Sequence, residues 1–303
     1  MSVSFRRVAG WFEAVEGFTG FCNSGMLFAN DERRHRRPRP NAGDALDSFR
    51  EGSKMQVMWT VIDGEIKQLD LPDPADQVLP GIFWGAFDQV STPAYWAGQA
   101  WQHELLRTYE NLRLGRSLAE ELAACLLGGY GMPAALGLKA YERVRALGLL
   151  SMKPSGAALE AVLSEPFEID GRKWAYRFPH QKARYLSESL RLLEEVDPIT
   201  DDVTLRNQLT QLPGVGMKTA SWIVRNIRNS NYVAIIDVHI LRAGRAIGLF
   251  NPILTPEKDY VALENDFLVF ADALGARASR LDGLIWSYLR ANRAASKQCR
   301  LFD

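Results

Sequence analysis

The sequence predicts a mainly α fold with a small β-containing N-terminal module. From about residue 94 onward, apolar residues recur at helical spacing in many short segments joined by short loops, a pattern typical of an all-α body. Before that point, MQVMWTVIDGEIKQLDL (55–71) alternates apolar and polar residues around Asp63-Gly64, a type I′ turn signal, and predicts a β-hairpin. The Pro-punctuated stretch 71–81 indicates a linker.

Residues that favour helix starts support the helical pattern. Asp201 or Asp202 precedes LRNQL, and Thr255 and Pro256 precede the apolar run YVALENDFLVF. The predicted helices span 94–112, 117–127, 134–148, 155–164, 180–196, 202–211, 216–229, 238–247, 256–274 and 278–292.

Composition places the chain among soluble globular proteins. Of its 303 residues, 47% are apolar and 24% charged, which suits one large domain or about two to three smaller ones. The formal net charge is zero and neither indicates nor excludes a polyanionic partner. The chain has no apolar run of about 18 residues and no secretion signal at its start. We therefore expect no membrane association and an intracellular location, in the cytoplasm or nucleoid.

The cysteines and histidines argue against a metal centre. Cys22, Cys125 and Cys299 lie far apart and are too few for a four-thiolate cluster. The histidines show no metal-ligand spacing. We expect no metal, no iron–sulfur cluster and no other cofactor.

The stretch LPGVGMKTA (212–220) stands between two apolar helical patterns. LRNQLTQL before it and MKTASWIVRNI within and after it predict a helix-hairpin-helix over 205–227. Gly214 and Gly216 allow a sharp turn and present bare N–H groups beside a helix N-terminus. Such a turn can hold a nucleic-acid phosphate, although it can also simply end one helix and begin another.

The segment YVAIIDVHILRAG (232–244) contains a second notable residue. An apolar run ends at Asp237, and a helix is predicted to begin at Val238. Asp237 occupies the N-cap position, and capping alone would explain its presence. It follows Lys218 by 237 − 218 = 19 positions.

Together, LPGVGMKTA and AIIDVHILR resemble the signature of the helix-hairpin-helix DNA glycosylase superfamily, over about residues 117–292. AYRFPHQKARYL (175–186) and LDGLIWSYLR (281–290) are similar to the 8-oxoguanine glycosylase branches of that superfamily. The chain ends KQCRLFD and lacks the four-cysteine loop of the endonuclease III branch. The adenine- and alkyl-base-excising branches usually lack a lysine at this position, so Lys218 argues against membership of those branches.

The resemblance implies a two-lobed helical fold. One lobe is a helical barrel over 117–232 that carries the hairpin, and the second combines 94–116 with 233–303. Residues 1–93 form the N-terminal module and match no part of the family core.

The resemblance also implies chemistry on double-stranded DNA that contains a modified base. After the base is flipped out of the helix, Lys218 would attack the sugar and form a Schiff base, and Asp237 would stabilise positive charge on the sugar. Such an enzyme is a bifunctional glycosylase and AP (apurinic/apyrimidinic) lyase, and we expect a monomer.

Further contacts are implied less directly by the resemblance. Met132 or Tyr130 would fill the gap left by the flipped base, although Tyr130 can equally be an ordinary loop aromatic. Aromatic residues at helical spacing usually belong to a core rather than to a base pocket. The remaining candidates are Gly214, Val215, Gly216 and His239 for the DNA backbone, and Phe267, Phe270, Asp282 and Trp286 for the base pocket.

The identity of the base stays open at this point. The default is 8-oxoguanine, and one alternative is a different modified base, such as a bulky one in foreign (phage) DNA. A second alternative is a helix-hairpin-helix protein that binds DNA without catalysis. An excision assay separates all three.

Overall fold

The computed structural model describes residues 55–107, 112–129 and 131–299, with side chains through residue 290. Within these ranges it contains ten α-helices, two short 3-10 turns and three two-stranded antiparallel sheets. The predicted mainly α fold with a small β-containing N-terminal module is therefore confirmed.

The helices lie close to the predicted segments. They are α1 (Pro93–Leu106), α2 (Leu118–Leu127), α3 (Ala134–Ala146), α4 (Gly156–Ser164), α5 (Pro179–Leu192), α6 (Asp202–Leu209), α7 (Met217–Arg228), α8 (Val238–Ala246), α9 (Tyr260–Ala273) and α10 (Ala278–Cys299). The strands are β1 (Gln56–Ile62), β2 (Glu65–Leu71), β3 (Gln77–Leu79), β4 (Ile82–Phe83), β5 (Phe167–Ile169) and β6 (Arg172–Trp174).

The described residues divide into two compact units, one within 1–108 and 287–303 and one within 109–286. In the first unit, β1 and β2 form the predicted hairpin, with Ile62 paired to Glu65. Asp63 and Gly64 turn the chain with φ angles of 51° and 80°, both in the left-handed region that a type I′ turn requires.

The hairpin packs on α1 through Met58, which is buried. A Cβ atom at Gly98 of α1 would lie 2.6 Å from the Met58 sulfur, so the methionine side chain packs closely against the helix backbone at this glycine. Helix α1 itself begins where the Thr92 hydroxyl accepts the Tyr95 N–H, with Pro93 in the first turn.

Two strand pairs are absent from the sequence prediction. The β3–β4 pair begins within the stretch assigned as a linker, and β5–β6 lies in the second unit. Each of these strands has only two or three residues, which is too short for an alternating pattern to be recognised.

The core of the second unit is built around α2, which packs against α3, α5 and α7. Because neighbours surround it, residues 122–127 are all buried. Glu121 on the same helix is also buried, and its carboxylate accepts the N–H groups of Leu114 and Gly115 and the Asn226 amide. This carboxylate therefore ties the start of the unit to α7.

Candidate active site

Helices α6 and α7 form the predicted helix-hairpin-helix. Asp201 caps the start of α6, and residues 210–216 connect it to α7. Within this turn, Leu212 and Val215 are buried, and the Val215 N–H donates to the Leu212 carbonyl at 3.1 Å. The turn is thus anchored to the core through its apolar side chains, while its glycines lie at the surface.

The two hairpin glycines have different roles. Gly214 has a φ of +76°, and a Cβ atom there would lie 2.3 Å from the Tyr185 ring. Gly216 has a φ of −90° and precedes the first residue of α7, with no atom within 4 Å of the position a Cβ would take. The predicted sharp turn is therefore made at Gly214, whereas Gly216 leaves the start of α7 open.

Lys218 is the second residue of α7 and is half-buried. On the same helix, Ala220, Ile223 and Val224 are fully buried and hold α7 against the core. The lysine therefore stands at the positive end of the helix dipole, on a helix whose position is determined by packing.

A second amine lies near Lys218. Nζ of Lys182, on α5, donates to the carbonyls of Leu126 at 2.6 Å and Gly128 at 3.3 Å, at the C-terminal end of α2. Burial lowers the pKa of Lys182, and the positive charge of Lys218 lowers it further. The two cations are thus close enough to influence each other, while the carbonyl groups hold Lys182 in place.

Asp237 is the N-cap of α8, as its position in the sequence predicts. Its Oδ1 accepts the N–H of His239 at 2.8 Å and the N–H of Ile240 at 2.9 Å. Both bonds use the same oxygen, which leaves Oδ2 outside the capping interaction. Asp237 and His239 are each half-buried, so the helix start holds the carboxylate on a residue that is not enclosed in the core.

Asp282, a predicted pocket residue, has a structural partner in this region. It is buried, and Oδ2 accepts the Ile235 N–H at 3.3 Å and lies 3.3 Å from Nε of Arg225. Burial raises the pKa of Asp282, Arg225 lowers it, and the negative charge of Asp237 raises it further. Asp282 therefore supports the segment that leads into Asp237, and its place in a base pocket stays a prediction.

The other wedge and pocket candidates differ in exposure. Phe267 and Phe270 are only 1% and 2% exposed, Met132 is 9% exposed, and Trp286 is half-buried. Tyr130 lies outside the described residues. The roles proposed for these residues stay predictions.

Sequence reasoning did not single out Glu264, which lies near the centre of α9. Tyr260, Leu263, Phe267 and Phe270 form the buried stripe of this helix at i, i+3, i+7 and i+10 spacing, and Glu264 lies within that stripe. The sequence did contain a signal, because it places a carboxylate on the apolar face of a predicted helix. A charge buried there requires partners, so this position indicates a polar network.

Neither a membrane span nor a metal cluster is found in the described parts of the chain. Within residues 55–107, 112–129 and 131–299, every helix is too short or too polar to cross a bilayer. The same residues contain no group of three or more His, Cys, Asp or Glu side chains that could bind a metal ion.

Three features occur together in this chain: a helix-hairpin-helix, a lysine in the first turn of its second helix, and an aspartate that caps the next helix. This combination defines the class of helix-hairpin-helix DNA glycosylases. The family model described as 8-oxoguanine DNA glycosylase (Ogg-HhH) matches residues 103–276. The match covers more than half of the chain. The chain belongs to the 8-oxoguanine DNA glycosylase family, which confirms the resemblance predicted from sequence.

Individual relatives agree with this assignment. The 8-oxoguanine DNA glycosylase/AP lyase of Metallosphaera sedula is 31% identical over 206 residues, covering 63% of this chain and 92% of that protein. The protein of the same name from Saccharolobus solfataricus is 35% identical over 121 residues, covering 37% of this chain and 58% of that protein. The fold is similar to the crystal structure of the 8-oxoguanine DNA glycosylase of Thermotoga maritima, with a TM-score of 0.53, 22% identity and coverage of 66% of this chain and 96% of that chain.

Proposed function

We propose that this protein excises 8-oxoguanine from double-stranded DNA and cleaves the strand at the resulting abasic site, as a bifunctional DNA N-glycosylase and AP lyase. One observation carries the proposal: Lys218 lies in the first turn of α7, and Asp237, 19 residues later, is the N-cap of the next helix. The activity printed for the relatives supports the choice of base.

In the first step, the target nucleotide leaves the base stack, because its glycosidic bond is unreachable inside a duplex. The neutral amine of Lys218 attacks C1′ as the bond between C1′ and the base breaks. The electron pair of that bond leaves with the base, which takes up the proton that the attacking amine loses. Positive charge develops on the sugar meanwhile, and the Asp237 carboxylate stabilises it electrostatically.

In the second step, the nitrogen lone pair forms a double bond to C1′ as the bond between C1′ and the ring oxygen breaks. The oxygen takes up a proton, and Lys218 is then joined to C1′ as a Schiff base. Loss of a proton from C2′ then breaks the C3′–O bond, and the phosphate leaves with the electron pair. Strand cleavage is thus a β-elimination from the Schiff base. Side chains alone supply these groups, so the proposed reaction requires no cofactor.

The hairpin supplies the contacts to the DNA backbone. The N–H groups of Gly214 and Gly216 and the positive end of α7 form a site for a phosphate. Gly216 favours this role because the space beside it is open. The Val215 N–H, the third donor predicted from sequence, already donates to the Leu212 carbonyl within the turn. His239, in the first turn of α8, would contact a neighbouring phosphate. Such contacts position the protein without reading the sequence.

We assign the base pocket by comparing how far each aromatic candidate is exposed. Trp286 is the aromatic candidate we favour for stacking on the flipped base, because this residue is half-buried. Phe267 and Phe270 have almost no surface to offer a base. We further propose that the protein acts as a monomer on intracellular DNA.

A panel of duplexes tests the proposed function. Each duplex carries one modified base opposite each of the four normal bases, and base release and borohydride trapping are measured with the full chain. The expected result is excision and trapping with 8-oxoguanine. Excision of a different base would contradict the proposed substrate but leave the proposed chemistry standing. Binding without any excision would contradict the proposal that the protein is an enzyme.

A further inference from the structure

Glu264 is a buried carboxylate that joins three separate segments of the unit formed by residues 109–286. Its Oε2 accepts a hydrogen bond from Nη1 of Arg206, on α6, at 2.7 Å. Its Oε1 accepts the hydroxyl of Ser221, on α7, at 3.0 Å and the backbone N–H of Ala234 at 2.9 Å. One side chain on α9 therefore holds both helices of the hairpin motif and the segment that follows them.

Two of these partners lie close in sequence to the groups we propose for the reaction. Ser221 follows Lys218 by three residues, about one turn further along α7. Ala234 precedes Asp237 by three residues in a segment, 233–237, that is neither helix nor strand. Oε1 of Glu264 is thus a direct link between the helix that carries the amine and the segment that carries the carboxylate.

Segment 233–237 depends largely on side chains for its hydrogen bonds. It belongs to none of the sheets in the described part of the chain, so its N–H groups need other acceptors. Ala234 donates to Glu264, and Ile236 donates to the hydroxyl of Tyr260 at 3.1 Å. The same hydroxyl donates to the Ala234 carbonyl at 2.8 Å. Together with Asp282, which accepts the Ile235 N–H, these two side chains of α9 therefore determine where this segment, and Asp237 at its end, can lie.

We propose that Glu264 is a positioning residue, which sets the separation between the Lys218 amine and the Asp237 carboxylate through its bonds to Ser221 and Ala234. The inference rests on the proposed function. Base excision needs both reacting groups at once, and a displacement of about 1 Å can slow such a reaction about 100-fold. Schiff-base formation at an abasic site that already exists needs the amine alone.

The test compares two rates in each variant of the full chain. One is the single-turnover rate of 8-oxoguanine excision, and the other is the rate of borohydride trapping on a duplex with a preformed abasic site. Loss of folded protein lowers both rates by the same factor, so their ratio is unaffected by stability. A change in the separation of the reacting groups lowers the ratio.

Ser221→Ala removes the hydrogen bond from α7 to Glu264, together with the Ser221 contact to the Tyr260 hydroxyl. Glu264→Ala removes all three bonds of the carboxylate. We expect the ratio to fall about tenfold for Ser221→Ala and about 100-fold for Glu264→Ala. In Glu264→Gln, the amide oxygen can still accept from Ser221 and Ala234 while the NH₂ group faces Arg206. This variant is expected to lose stability and keep the wild-type ratio.

Ser187→Ala is the matched control. Ser187 is also a buried helix serine, and its hydroxyl donates to the Pro154 carbonyl at 2.7 Å rather than to Glu264. The ratio should equal that of the wild type. If Glu264→Ala does not fold, Ser221→Ala decides the question.

A wild-type ratio in both Ser221→Ala and any folded Glu264→Ala protein would overturn the positioning role. Failure of the wild-type chain to excise 8-oxoguanine is a different result, because it overturns the proposed function itself. The wild-type measurement in the same experiment distinguishes the two failures.

Discussion

The guanidinium of Arg206 and the carboxylate of Glu264 form an ion pair of 2.7 Å in which the two side chains are 3% and 2% exposed. Removing one charge of a buried pair leaves the other without compensation. Arg206→Met should therefore lower the free energy of unfolding by about 3–5 kcal/mol, measured by equilibrium denaturation in urea.

Lys139→Met is the control for this prediction. Lys139 pairs with Glu142 at 3.1 Å on the surface, where both groups are solvated. The loss of unfolding free energy there should be about 1 kcal/mol or less. Equal losses for the two variants would show that the buried pair has no special importance for stability.

Lys218→Gln should abolish borohydride trapping on 8-oxoguanine DNA and leave binding of the lesion duplex intact, because the amide cannot form a Schiff base. Trapping is measured by gel shift after denaturation, and binding by fluorescence anisotropy. Lys182→Gln removes the neighbouring amine and identifies the nucleophile. Loss of trapping in Lys182→Gln together with full trapping in Lys218→Gln would assign the reaction to the other lysine.

Asp237→Asn should slow single-turnover base excision by about 100-fold or more, because the negative charge beneath the sugar is lost. Asparagine is also a good N-cap, so α8 should keep its start. Asp201→Asn is the matched control, since Asp201 caps α6 in the same way, through two backbone N–H groups. An excision rate that is unchanged in Asp237→Asn would remove this carboxylate from the mechanism.

Gly214→Ala should lower the free energy of unfolding by about 2–4 kcal/mol, because alanine would be strained at a φ of +76° and would collide with Tyr185. Gly216→Ala meets open space at an ordinary φ and should cost about 1 kcal/mol or less. Urea denaturation of both variants makes the comparison. A smaller loss for Gly214→Ala than for Gly216→Ala would contradict the packing described for the hairpin.

The stability contributed by Asp201 should depend on pH. Hydrogen bonds from the Thr204 hydroxyl and backbone N–H hold the pKa of Asp201 below its ordinary value of 3.8. A carboxyl whose folded pKa is depressed stabilises the fold above its unfolded pKa and loses that effect as the pH falls through the folded value. Asp201→Asn should therefore be less stable than the wild type at pH 7. The difference in the free energy of unfolding should shrink as the pH falls below 3.8. Denaturation curves at a series of pH values measure this difference, and a gap that is independent of pH would contradict the assigned cause.

Local sequence patterns predicted most of the helices because their causes are local. Asp201 and Asp237 cap helices in the structure, and Asp63-Gly64 makes the hairpin turn, since each depends on residues within a few positions. The short strands were missed because two or three residues carry no readable period.

The network around Glu264 shows what local patterns could not provide. Its three partners lie 58, 43 and 30 residues away along the chain. The sequence places a carboxylate on the buried stripe of α9, which indicates that partners must exist without identifying them.

By itself, then, the sequence determined the hairpin motif, the lysine, the capping aspartate and the family to which they belong. Only the tertiary structure decided which distant side chains hold those two groups, and that Gly214 rather than Gly216 makes the tight turn against Tyr185. The physical reason is that helix starts and turns follow from neighbouring residues, whereas a buried charge is stabilised only by groups that packing brings to it from elsewhere in the chain.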